Sequence, residues 1–318
     1  IGKGETKKVQ ATRRAMEKLA QKLKREAPET IVIITPHGAI FSDTITISLP
    51  EEYIGDLGRF GAGQIKFNYQ VDFKLAELIY EGSIKRGFSV AKLDPGMAGS
   101  YGVDLDLDHG MMVPLSFFNE IEEKPKLLQI NVGFLSREEL YGFGVAIREG
   151  IEKSGQKVAL IASSDLSHKL FPGAPAGYSP KGKEFDFLLK ELLENFNVEG
   201  ILEIPRDLQE EAGECGYRPI IMLLGALKGL TLKTDVLSYE GPFGVGYLVS
   251  SFEVKERNLL AEKIKETSFK KGGQNPSSIV QLARQSLNYY FKHGNIMKGK
   301  DWPLDDSYPN KAGVVVTL

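Results

Sequence analysis

The stretch Thr30-Ile31-Val32-Ile33-Ile34-Thr35-Pro36-His37-Gly38 decides the fold class. Ile31 to Thr35 is a continuous β-branched run, suited to a central strand buried on both faces. Pro36 and Gly38 break the run, and His37 sits in the break. Strands and helices alternate downstream. Phe73 to Arg86 reads as a helix, and Ser89 to Leu93 as a strand. Lys126 to Val132 is a strand, and Arg137 to Lys153 is a helix ended by Ser154-Gly155. Lys157 to Ala162 is a strand, Lys183 to Asn195 and Pro219 to Lys228 are helices, and Val245 to Val254 is a strand. Upstream, Gly4 to Ala27 reads as a basic helix with Val9, Met16, Leu19, Ala20 and Leu23 at helical spacing. The alternation predicts an α/β fold with a central mixed, largely parallel sheet flanked by helices.

The 318 residues are 42% apolar and 26% charged, enough apolar content to bury a core. A net charge of −2 argues against a nucleic-acid binder that works by bulk charge. The lone Cys215 excludes a disulfide framework and a Cys-only zinc site. No run of about 18 apolar residues suggests a membrane span, so the expected location is cytoplasmic. Ile1-Gly2-Lys3-Gly4 carries no Met, and Val314-Val315-Val316-Thr317-Leu318 is a strand-like run with nothing after it. Both ends therefore read as cuts in a longer protein. A charged segment followed by Gly272-Gly273-Gln274-Asn275-Pro276 marks a linker over 256–276, with a new helix opening at Ile279.

Of the four histidines, three sit beside turn residues. His37 follows the apolar strand directly. His109 lies in Asp104-Leu105-Asp106-Leu107-Asp108-His109-Gly110. His168 closes Ser163-Ser164-Asp165-Leu166-Ser167-His168, just after the strand ending near Ala162. Ligands in open α/β sheets bind at the carboxyl ends of strands, so His37 and His168 are expected to converge on one sheet edge. Asp108 beside His109 is a pairing that fixes a tautomer and raises basicity. His293 falls at a helix ending in the appended segment, where a cation is mildly favoured. Cys215, in Gly213-Glu214-Cys215-Gly216-Tyr217-Arg218-Pro219, precedes an apolar helix whose N-terminus would favour a thiolate or carboxylate. Either Glu214 or Cys215 could ligate a metal. A small buried filler at Cys215 and a helix-end charge at Glu214 are the bland alternative.

Read in order, these segments resemble a known family. Asp106-Leu107-Asp108-His109-Gly110-Met111-Met112-Val113-Pro114-Leu115-Ser116 resembles the Asp-His-Gly…Val-Pro-Leu-Ser segment of the class III extradiol dioxygenases, the LigB-like enzymes. Ser167-His168, Ala176-Gly177 and Lys183-Glu184-Phe185-Asp186 resemble the family's next block. The strand into His37 and the helix through Gly225-Ala226-Leu227 follow in the same order. The resemblance covers 1–255. It implies a non-haem Fe(II) held by two His and one carboxylate, with positions open for a catechol-type substrate and O₂. It implies that His37 is a metal ligand and His168 the acid/base residue. It places His109 and Asp108 on the substrate side.

Two departures bear on this. The family's other metal His lies on a short first strand, expected upstream of Ile1. The carboxylate position reads Glu214-Cys215-Gly216, and its register falls on Cys215. Cys215-Gly216-Tyr217-Arg218-Pro219-Ile220 also resembles the Cys-Gly-x-x-Pro-Ile segment of Memo, a relative with a Cys in its metal pocket. A thiolate ligand would shift the site toward zinc or copper. Glu240 is a further carboxylate candidate. Ile279-Val280-Gln281-Leu282-Ala283-Arg284 and Ala312-Gly313-Val314-Val315-Val316-Thr317-Leu318 look like the opening of an AMMECR-type α+β domain over 277–318. LigB-like and AMMECR-type domains occur together in the AmmeMemoRadiSam proteins, which implies a radical-SAM protein as partner. The alternative function is then a Memo-like metal-binding protein without ring cleavage. The reading admits a homo-oligomer.

Overall fold

The computed structural model describes residues 5–119 and 123–257. Most of the expected linker, the AMMECR-type segment and His293 lie outside the described residues. A 3₁₀ turn at Glu5–Val9 leads into α1 (Gln10–Glu26), and β1 (Thr30–Thr35) follows. All six residues of β1 are buried, as its β-branched run requires. Four further strands complete the main sheet: β2 (Ile45–Ser48), β5 (Val90–Leu93), β6 (Lys126–Asn131) and β7 (Val158–Ala162). Their order is β5-β2-β6-β1-β7. β1 runs parallel to β6 and β7, and β2 parallel to β5. Only the β2–β6 pair is antiparallel. The sheet is thus mixed and largely parallel, as expected.

Helices cover both faces, and their ends follow local chemistry. α2 (Phe73–Lys85) starts at Asp72, whose carboxylate accepts the Leu75 N–H at 2.9 Å. α5 (Arg137–Ser154) starts in a reciprocal capping box between Ser136 and Glu139 and ends at the left-handed Gly155. α6 (Pro180–Glu194) starts earlier than expected, because Ser179 caps it and Pro180 suits a first turn. α9 spans Tyr217–Ala226. It meets α5 so closely that a Cβ on Gly144 would lie 2.0 Å from the Met222 carbonyl oxygen.

Some elements escape the periodicity reading. The 41–68 stretch holds β2 and most of a hairpin of β3 (Glu52–Leu57) and β4 (Ala62–Gln70). Short α3 (Pro95–Tyr101) and α4 (His109–Ser116) follow. α7 (Val198–Leu202) and α8 (Arg206–Ala212) lie between α6 and α9. The expected strand near 245–254 is β9 (Tyr247–Arg257), paired with β8 (Leu230–Glu240).

A candidate metal-dependent active site at the ends of β1 and β7

The Thr35-Pro36-His37-Gly38 turn leaves the carboxyl end of β1. The His37 N–H donates to Thr35 Oγ1 at 3.2 Å, and Gly38 takes φ +82°. A Cβ at Gly38 would meet the Asn131 and Gln129 amides at 3.0 Å, so the turn admits glycine on both counts. His109 is not in a turn. It is the first residue of α4, and Asp108 caps that helix by accepting the Met111 N–H at 3.2 Å. The cap aims His109 at His37, and their ring centroids are 4.4 Å apart. Gly110 makes the approach feasible, since a Cβ there would lie 2.9 Å from both His37 Cδ2 and Asp108 Oδ1. The other Asp108 oxygen, Oδ2, is buried with no hydrogen-bond partner among the described residues.

His168 lies in the segment that leaves β7. Its Nδ1 is 2.8 Å from the Gly213 carbonyl, which can only accept, so Nδ1 carries a proton. Nε2 lies 3.7 Å from Asp165 Oδ2, an ion-pair distance. Asp165 raises the His168 pKa, helped by the Gly213 carbonyl and opposed by burial. His37 shifts the other way. Burial and the His109 imidazole lower its pKa, against the carboxylates of Asp108 and Asp165. The site therefore biases His37 toward the neutral form that ligates metals and His168 toward the protonated form. Asp165 is the residue the sequence reading passed over. Its signal was its place three residues before His168 in the same post-strand segment.

Glu214 and Cys215 sit between α8 and α9. Glu214 is turned to the start of α9 and accepts the Tyr217 N–H at 2.6 Å, while burial raises its pKa. Cys215 Sγ accepts the Asp165 N–H at 3.3 Å and donates to the Asp165 carbonyl at 3.4 Å. Burial pushes its thiol up to about 12. Burial thus works against the thiolate expected at this helix N-terminus. Glu240 is corrected to a capping residue. Its carboxylate accepts the Ala11 and Thr12 N–H groups and the Thr12 hydroxyl, capping α1 rather than facing the histidines.

Donor types suited to a divalent metal are present: a neutral imidazole, a carboxylate and a thiol, with the buried orphan oxygen of Asp108 beside His37. Among the described residues no group of three His, Cys, Asp or Glu side chains closes on one metal position. An open cleft of about 1050 Å³ adjoins the pair, lined by Gly38 and Asp108 next to the histidines and by Arg59, Lys66 and Phe67 further out. Phe60 stands 6.3 Å from the His109 ring. No described helix is long and apolar enough to cross a membrane.

Comparisons with known proteins place the chain in a family. The chain is 36% identical over 326 residues to protein CA_C1420 of Clostridium acetobutylicum, covering 100% of this chain and 69% of that protein. It is 33% identical over 157 residues to a Methanosarcina barkeri MEMO1 family protein, covering 46% of this chain and 55% of that one. A MEMO1 family protein of Thermococcus kodakarensis matches at 26% over 232 residues, 69% of this chain and 71% of that protein. Among solved structures, the uncharacterized protein JW3007 of Escherichia coli K12 shares the fold. Its TM-score is 0.50 at 17% identity, with 74% of this chain and 90% of that chain covered. Residues 1–250 match the family described as the catalytic LigB subunit of aromatic ring-opening dioxygenase, and MEMO1 family proteins are among the chain's relatives; the chain belongs to the LigB family.

Proposed function

We propose that the chain is an oxidoreductase of the class III extradiol type, acting on a catechol-type aromatic with non-haem Fe(II) and O₂. One observation carries the reading: His37, His109 and the Asp165–His168 pair gather where β1 and β7 end, and Gly38 and Asp108, the neighbours of the first two, line an open cleft. His37 would hold the metal with Glu214 or Cys215. The bound ion would supply Lewis acidity and an electron path between aromatic and O₂. The chain's own groups handle position and protons. His168, with the Gly213 carbonyl on Nδ1 and the Asp165 carboxylate near Nε2, holds a proton that it can pass to a developing anion. Asp108 Oδ2 can accept a substrate hydroxyl, because no described group occupies it. Phe60 and His109 supply flat surfaces for an aromatic ring. Oxygen uptake by the full chain, reconstituted anaerobically with Fe(II) and offered a panel of catechols, tests the reading.

A second reading is favoured by Cys215 and by the MEMO1 relatives. In it the protein binds zinc or copper without cleaving rings. It would act in the cytoplasm with a radical-SAM partner, through the AMMECR-type fusion proposed for 277–318. Metal analysis of two variants separates the readings. Iron lost on Glu214→Ala but kept on Cys215→Ala favours the oxidoreductase, and the reverse favours the Memo-like protein.

A further inference from the structure

We propose that Asp186 is the positioning residue for His168, a role that rests on the reading of His168 as the acid/base group. Asp186 lies on α6 and is fully buried. Its Oδ1 accepts the Ser167 N–H at 2.9 Å, one residue before His168. Its Oδ2 accepts the Tyr239 hydroxyl at 2.7 Å, from β8. The same short segment is tied from two other sides. Gly246 N–H donates to the Ser167 carbonyl at 2.8 Å, and the Leu166 N–H donates to Gly246 O at 2.9 Å. Ser167 Oγ donates to the Ala212 carbonyl at 2.8 Å, and His168 N–H to the same oxygen at 3.3 Å. Glycine at 246 is what lets the hairpin reach the carboxylate, since a Cβ there would sit 2.0 Å from Asp186 Oδ2.

A buried carboxylate costs stability unless its hydrogen bonds offset the loss of water. Here its hydrogen bonds go to the segment that carries His168 and to the strand behind it, so α6, β8 and His168 are joined through one anion. The joint leaves Nδ1 of His168 facing Gly213 and Nε2 facing Asp165. A loose segment would let the ring turn and lose both acceptors. Asp186 does not touch the cleft, so its effect reaches the chemistry only through His168.

The test is hydrogen exchange of the His168 Nδ1–H and the Ser167 amide, followed by NMR on the full chain. Asp186→Ala is expected to speed both by about tenfold or more, because a hydrogen bond to a charged acceptor is lost. The amides of Ile31 to Ile34 in β1 should keep their rates. Asp186→Asn should restore part of the protection, since its amide oxygen still accepts from Ser167. Tyr239→Phe should give a smaller rise in the same direction, and it serves if the alanine variant does not fold. Unchanged exchange at His168 overturns the proposal. So does a rise shared equally by β1, which marks a plain core residue. A wild-type chain that consumes no O₂ while His168 exchange responds selectively sinks the oxidoreductase reading and leaves the positioning role standing.

Discussion

His168 and His37 titrate in opposite senses, and that contrast sets what pH does to the site. The folded pKa of His168 is raised, so its contribution to stability is full below the ordinary 6.5 and is lost as pH rises through the folded value. His37 is lowered, so its contribution is present at high pH and is lost as pH falls below 6.5. Asp165→Asn should lower the His168 pKa, read from its ring protons in an NMR titration, and leave His37 less affected. Asp186 adds a third dependence. Its carboxyl is pushed by burial from 3.8 to about 6. The folded state therefore holds that proton more tightly, and stability falls as pH rises from about 4 to about 6. The size is about 3 kcal/mol at most, from roughly 1.4 kcal/mol per pH unit. Denaturant melts across that window should show the decline in the wild type and a flatter curve in Asp186→Asn.

At the scale of elements, caps and close contacts explain what the site is built on. Glu240 of β8 caps α1, so Glu240→Ala should cost about 1 kcal/mol, seen as a lower Tm, with metal content unchanged. Lost metal would instead return Glu240 to the ligand list. Several elements were legible in the sequence: the apolar run of β1, and the Ser154-Gly155 ending of α5 with its left-handed Gly155. β3 and β4 were not. Ile54 apart, their exposed faces are polar, and Gly55, Gly58, Gly61 and Gly63 favour a loop, so only pairing across the hairpin defines them. β8 is hidden for a related reason. Its Leu-Thr-Leu-Lys-Thr-Asp opening is short of apolar residues, and only its pairing with β9 defines it. α4 was missed because Pro114 lies inside it; the Gly110 carbonyl that a residue-114 N–H would reach accepts the Ser163 hydroxyl instead.

Across the molecule, parallel strands bring their carboxyl ends to one edge, and this placed His37 and His168 together from sequence alone. What spacing could not reveal is which groups meet across long separations. Cys215 and Asp165 are fifty positions apart, yet the thiol is held by the Asp165 backbone. The meeting of His37 with His109 depends on the entry angle of α4, which a cap and two glycines set. The resemblance supplied the order of the blocks, but the partners of Glu214, Cys215 and Glu240 required coordinates. The Glu214→Ala and Cys215→Ala pair tests this arrangement, because a bound metal would report on α8, α9 and the two strand ends together.

Oxygen consumption by the Fe(II)-reconstituted full chain is the decisive measurement, made for the wild type beside His168→Asn over a panel of catechols. Uptake on at least one catechol is expected, with kcat lower by roughly a hundredfold in the variant. No uptake with any catechol, or an unchanged rate in His168→Asn, would contradict the proposed activity.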